Sequence, residues 1–321
     1  MYSPLSFLIA QPPRLGRSAP GLLLGLLLAG GAASLTVTQS LQASEATGVG
    51  SWDLRELRRV PRFEVAAPRT VVQDSREVLL SELYYAGEPW RGQRTRVFAY
   101  YARPAGAPGA AVPTRLPAMV LVHGGGGTAF AEWARLWAAR GYAALAMDLA
   151  GRGPERQPLP DGGPDQTEEW KFRRLRDGVR DSWPYQSVAA VIRAVSVLRN
   201  LPEVDRDRIG ITGISWGGYL TSLVMSLDDR LRVAVPVYGC GFLDENSTWL
   251  PVFASLPEGE RKLWVENFDP SRYLRRCQIP VLWVNGTNDF AYPLDSYRKS
   301  YRLPTGSRTL CVTVKMPHGH Q

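Results

Sequence analysis

Apolar and polar positions alternate along this chain in two distinct ways, and together they predict its architecture. Glu77-Val78-Leu79-Leu80-Ser81-Glu82-Leu83-Tyr84-Tyr85 and Thr95-Arg96-Val97-Phe98-Ala99-Tyr100-Tyr101 are rich in β-forming residues, with Gly87-Glu88-Pro89-Trp90-Arg91-Gly92 between them. They predict an antiparallel hairpin. Beyond it the apolar runs become short and continuous, at 116–122, 142–147, 209–212, 233–238, 279–284 and 309–314. Runs of that length fit strands buried on both faces. Helical spacings fall between them, at 130–140 before Gly141, at 185–198 with Val188, Val191, Ile192, Val195 and Leu198 in phase, and at 219–225. Strands alternating with helices predict βαβ units, hence an α/β fold with a mostly parallel central sheet and helices on both faces. Pro/Gly-rich stretches at 104–117 and 150–168 predict long loops.

The first 75 residues follow neither pattern. Arg14 and Arg17 precede an apolar stretch, 19–33, that ends in Gly31-Ala32-Ala33-Ser34. A basic region, a short apolar core and small residues predict a secretory signal peptide over 1–43, cleaved near Ala33 or near Ala43. An uncleaved anchor helix is the alternative. The signal implies a secreted or periplasmic protein with no stable membrane association once it is removed. Residues 44–75 are polar and carry Pro61 and Pro68, which predicts an extended N-terminal arm ahead of a domain over 76–321.

Charge and cysteines narrow the function classes. The net charge is +8, of which Arg14 and Arg17 account for two, leaving +6 from residue 44 onward. The basic residues are interleaved with acids, as in Arg55-Glu56-Leu57-Arg58-Arg59 and Arg173-Arg174-Leu175-Arg176-Asp177. That pattern argues for a solvated surface and against a nucleic-acid partner. Cys240, Cys277 and Cys311 are far apart and without Cys-x-x-Cys or His-x-x-x-His spacing, so no metal site is expected. One disulfide, or three buried free thiols, fits their number.

One stretch carries the chemistry. Gly213-Ile214-Ser215-Trp216-Gly217 follows an apolar strand and opens a helical pattern. Strand, Gly-x-Ser-x-Gly and helix together predict a nucleophile elbow, with Ser215 Oγ standing above the sheet at the positive end of a helix. The serine needs a base, and the histidines are His123, His318 and His320. In this motif class the order is serine, acid, histidine, which leaves His318 or His320. His318 lies closer to the last strand. Between serine and histidine, Asp289 follows a strand, and Asp295 is the runner-up acid, read more readily as a helix cap. His123-Gly124-Gly125-Gly126-Gly127 offers backbone amides, so Gly124, Gly125 and Trp216 are the expected oxyanion-hole residues. No Gly-Lys-Ser/Thr closes this run, which argues against a phosphate loop. Tyr238, Phe242, Phe290 and Tyr292 are candidate pocket residues, together with Trp216 and Trp249.

At these residues the chain resembles the α/β-hydrolase superfamily, and more narrowly the acetylxylan esterase and dienelactone-hydrolase-like esterases. The matching stretches run from Leu121-Val122-His123-Gly124 through the serine motif and Val284-Asn285-Gly286-Thr287-Asn288-Asp289 to Met316-Pro317-His318-Gly319-His320. The resemblance implies an α/β-hydrolase fold, a Ser215, Asp289, His318 triad, no cofactor, and deacylation of a small-molecule or polysaccharide ester. It also implies a closing C-terminal helix, which is missing from a chain that stops at Gln321. A prolyl-oligopeptidase-like serine peptidase and a non-catalytic hydrolase-fold binding module are the competing readings.

Overall fold

The computed structural model describes residues 50–106 and 115–319; the expected signal segment 1–43 and His320 lie outside them. The predicted hairpin is formed by β3 (Arg76–Ala86) and β4 (Arg96–Pro104), paired antiparallel with Leu83 opposite Ala99. The apolar runs become β5 (Leu116–Val122), β6 (Ala143–Met147), β7 (Val204–Ile214), β8 (Val233–Val237), β9 (Val281–Asn288) and β10 (Arg308–Pro317). All adjacent pairs in the order β6-β5-β7-β8-β9-β10 are parallel, and β4 joins antiparallel to β6. Six parallel strands thus follow an antiparallel flank, as the alternating pattern requires.

The described part of 44–75 is less extended than its prolines suggest. It holds a short helix, α1 (Leu54–Leu57), and two strands, β1 (Phe63–Val65) and β2 (Arg69–Gln73), both antiparallel to β3. Trp52 is fully buried and stacks on Tyr185 with ring centroids 5.0 Å apart and planes 3° apart. Such a pair adds about 0.5–1.5 kcal/mol beyond its buried area. The segment therefore packs into the same core as the sheet. The ring partners of Trp52, which are Tyr185, Phe268 and Tyr273, lie more than a hundred residues away, so no local pattern announces its burial.

Helices cover both faces. On one side lie α3 (Trp183–Asn200) and α4 (Trp216–Leu227); on the other α2 (Ala131–Ala139) covers a smaller cluster around Met119, Leu121, Ala144 and Ala146. Every residue of α4 is buried, and α3 is buried from Trp183 through Leu198. Arg193 on α3 enters this apolar setting only in an ion pair with Glu88. Two helices not foreseen, α5 (Leu250–Ser255) and α6 (Glu258–Phe268), follow β8, and α7 (Leu294–Tyr301) follows β9. Their periodicity is broken by Pro251, by Pro257 at the N-cap of α6 and by a charge-rich surface, which masks the apolar stripe.

The cysteines are all free, and Cys311 is exposed rather than buried, because β10 lies at the sheet edge. Among the described residues no helix is long and apolar enough to cross a membrane.

Candidate active site

The turn between β7 and α4 is dictated by sterics. A Cβ on Gly217 would run into the Val122 carbonyl, and one on Gly213 into the Gly217 carbonyl. Only glycines let helix and strands approach this closely. Between them Ser215 takes φ 57° and ψ −123°, a conformation that L-residues rarely adopt. The strain is local and points the side chain out of the sheet at the first turn of α4.

His318 stands immediately after β10 and Asp289 immediately after β9, two neighbouring parallel strands. Ser215 Oγ lies 2.8 Å from His318 Nε2, and His318 Nδ1 lies 2.7 Å from Asp289 Oδ2. The carboxylate can only accept, so Nδ1–H donates to it and Nε2 is left to accept from the serine hydroxyl. The other carboxylate oxygen of Asp289 accepts the backbone N–H of Ala291 at 2.8 Å and of Tyr292 at 2.7 Å. Asp295 is elsewhere: it sits inside the first turn of α7, whose N-cap is Pro293, and both its oxygens accept from Asn246 at 3.0 Å.

The glycine run after β5 lies against the elbow. A Cβ on Gly124 would meet that of Ser215 at 3.1 Å, and one on Gly125 would meet Trp216 Cδ1 at 2.9 Å. His123 is fully buried and fixes this loop. Leu149 N–H donates to its Nε2 at 2.9 Å, so the ring proton is on Nδ1, which donates to the Gly124 carbonyl at 2.8 Å. Burial holds its pKa below the ordinary imidazole range, against the opposing pull of Asp148. The Gly124 carbonyl also accepts from Gly127 N–H at 3.2 Å and from Gln166 Nε2 at 3.4 Å. Because the peptide is planar and trans, fixing that carbonyl fixes the Gly125 N–H in the opposite direction. Gln166 Oε1 takes the Gly126 N–H at 2.7 Å, and Arg156 donates to the Gly126 carbonyl at 2.6 Å. The N–H groups of Gly124, Gly125 and Trp216 have no acceptor among the described residues and remain available to a ligand.

Aromatic rings enclose His318: Tyr238 at 4.8 Å, Phe290 at 5.4 Å and Tyr292 at 5.9 Å between centroids. Phe290 is 68% exposed and forms an outer rim, whereas Tyr292 is buried. Phe242 is not part of this ring set; its amide binds Asp269 and its ring faces Lys299. Trp216 is walled in by Phe172, Trp183, Tyr219 and Trp249 at 4.5–5.8 Å. Among the described residues no group of three His, Cys, Asp or Glu is placed to hold a metal ion.

The sequence reading overlooked the clamp by Gln166 and Arg156, which lie in the predicted long loop. A glycine run with a polar loop following the next strand carries no local signal for such a contact.

Comparison with known proteins identifies a family for the chain. The family model described as acetyl xylan esterase (AXE1) matches residues 51–247. The chain is 25% identical over 229 residues to a Bacillus subtilis protein named as an uncharacterized peptidase, covering 67% of this chain and 31% of that one. It is 24% identical over 239 residues to an acetyl esterase of Xylanibacter ruminicola, covering 70% of this chain and 53% of that one. The chain thus spans between about a third and about half of these relatives' length. An acetyl xylan esterase from a Paenibacillus species has the same fold, with a TM-score of 0.69 at 21% identity over 84% of this chain and 87% of that one. The chain has an α/β-hydrolase fold and belongs to the acetyl xylan esterase family of carboxylic ester hydrolases.

Proposed function

We propose that this chain is a secreted serine esterase that removes acetyl or other short acyl groups from a carbohydrate through an acyl-enzyme on Ser215. The observation that carries the reading is the continuous hydrogen-bonded chain from Ser215 Oγ through His318 to Asp289, at 2.8 and 2.7 Å. Ser215 Oγ attacks the ester carbonyl and its proton passes to His318 Nε2. The carbonyl oxygen becomes an anion, which the free N–H groups of Gly125, Gly124 and Trp216 receive; one such donor is worth about 3 kcal/mol of barrier. The bond to the sugar oxygen then breaks, and His318 returns the proton to that oxygen. Water repeats the sequence on the acyl-serine, releasing the acid and restoring the serine hydroxyl.

The family supports a carbohydrate ester as substrate. The aromatic wall around Trp216 supports a short acyl chain, because it fills the space beside the nucleophile. Secretion is supported by the basic, apolar, small-residue layout of 1–43. A peptidase is the second reading, favoured by the likeness to the Bacillus relative named as a peptidase.

The test combines a fluorophosphonate probe with a substrate panel. Labelling at Ser215, and faster hydrolysis of acetyl than of octanoyl esters with release of acetate from acetylated xylan, is the expected result. An unlabelled folded protein overturns the serine mechanism. Faster cleavage of acylaminoacyl amides than of acetyl esters overturns the esterase reading.

A further inference from the structure

Among the described residues Lys171 is the only buried lysine. It lies on a π-helical turn, Glu169–Arg173, a rare conformation that recurs at functional sites. Its backbone carbonyl accepts from Trp264 Nε1 at 2.8 Å, which holds the turn in place. The ammonium Nζ stands 4.7 Å from the centre of the Trp216 ring and 5.2 Å from that of Trp183, two indoles set at 88° to each other. It also lies 3.9 Å from the point that a Cβ on Gly125 would occupy. Lys171 Nζ donates to no oxygen among the described residues. Lys171 is 8% exposed, so its ammonium has little access to water and no protein acceptor, and indole faces compensate that cost only in part. The cost falls at a particular place: Trp216 and Gly125 are two of the residues whose N–H groups stand free beside Ser215.

We propose that the Lys171 ammonium is the charged member of the oxyanion site, held by Trp183 and Trp216 against Gly125 so that its field stabilises the carbonyl oxygen when it becomes an anion. The proposal rests on Ser215 being the nucleophile. Its logic is that of preorganisation. A neutral ester gains little from a nearby cation, whereas the tetrahedral anion gains much, so the charge acts on the barrier and not on ground-state binding. A site walled by aromatic rings screens that field less than water would.

Burial lowers the Lys171 pKa to about 8, with Asp165 pulling the other way. The other charged groups around it are engaged in their own pairs or held by burial. On its own turn Glu168 pairs with Arg173 and Glu169 with Arg174. Glu260 of α6 pairs with Arg176. His123, behind the glycine loop, is kept neutral by burial, and burial pushes Tyr219 on α4 up. The charge at Lys171 is therefore lost near pH 8, and with it the stabilisation of the anion.

The experiment is kcat/KM for 4-nitrophenyl acetate from about pH 6 to about pH 10 on the full chain, Lys171→Met and Lys171→Arg, with fluorophosphonate labelling of each. The expected wild-type profile falls as pH rises past about 8. Lys171→Met should lose about ten- to a hundredfold at neutral pH, mainly in kcat, and lose the alkaline fall. Lys171→Arg should keep the charge and give a flat alkaline limb. A wild-type profile that is flat above pH 8, a Met variant with full kcat, or variants that keep the alkaline fall would each overturn the proposal. If Lys171→Met does not fold, the wild-type and Arg profiles decide. Labelled Ser215 with an unaffected Met variant removes the role of Lys171 alone, whereas an unlabelled wild type removes the Ser215 reading beneath it.

Discussion

Asp289 meets His318 with one carboxylate oxygen and gives the other to the backbone: Oδ2 lies 2.7 Å from Nδ1, while Oδ1 accepts from Ala291 and Tyr292. The two backbone bonds fix the carboxylate, so it can fix the ring. Asp289→Asn keeps the shape but presents an amide that can donate to Nδ1, favouring the tautomer in which Nε2 carries the proton. Turnover is expected to fall by about three to four orders of magnitude. Asp295→Asn is expected to stay within about threefold of wild type, because Asp295 faces Asn246. Steady-state kinetics of both variants on an acetyl ester checks the pair; equal losses would mean that Asp289 does not orient the base.

Ser215 holds a positive φ of 57° that glycine adopts freely. Ser215→Gly is expected to be inactive and about 1 kcal/mol more stable, since the relieved strain exceeds the added flexibility of the unfolded chain. Ser215→Ala, which keeps the Cβ and hence the strain, is expected to be inactive at nearly unchanged stability. Thermal unfolding of the three proteins measures this. A Gly variant less stable than the Ala variant would show that the turn is not strained.

Gln166 binds both sides of the glycine loop, accepting from Gly126 N–H and donating to the Gly124 carbonyl. Gln166→Ala is expected to lower kcat about tenfold while KM and the melting temperature change little, because small displacements of a donor cost rate before they cost stability. Gln166→Glu retains the acceptor and is expected to recover part of the loss. Unchanged kcat in the Ala variant would mean that the loop holds itself.

His123 gives a pH signature of its own. Its folded-state pKa lies below the unfolded value because of burial, so the unfolded chain binds the proton first. Its contribution to stability is complete above about pH 6.5 and is lost as pH falls below it. The melting temperature is expected to drop between about pH 6.5 and pH 5, and the drop is expected to shrink in His123→Gln, whose amide oxygen can still accept from Leu149 N–H. An identical drop in the variant would locate the protonation elsewhere.

The strands were legible because a parallel strand covered on both faces must be apolar at every position, and 116–122 or 142–147 can hardly be anything else. The serine turn was legible because its sterics are local: two glycines and a serine suffice to state them. Asp289 and His318 were legible as residues that end strands, but the choice of Asp289 over Asp295 turns on direction. Two neighbouring parallel strands deliver Asp289 and His318 to the same edge, whereas α7 turns Asp295 toward Asn246.

What the sequence by itself determined is whatever depends on neighbours within a few residues: the period of an apolar run, the turn that glycine permits, and the order of serine, acid and histidine. Tertiary structure alone decided what depends on partners far along the chain. Trp52, in a proline-bearing polar stretch, is buried because Tyr185 lies flat against it. Phe242 turns to Lys299 and away from the ring set about His318. Lys171, two residues before the charge-rich stretch Arg173–Asp177 that reads as solvated surface, is drawn between two tryptophans because α3 and α4 bring Trp183 and Trp216 together over one turn of chain. A side chain's environment is set by the sum of long-range packing contacts, and no window of sequence contains that sum.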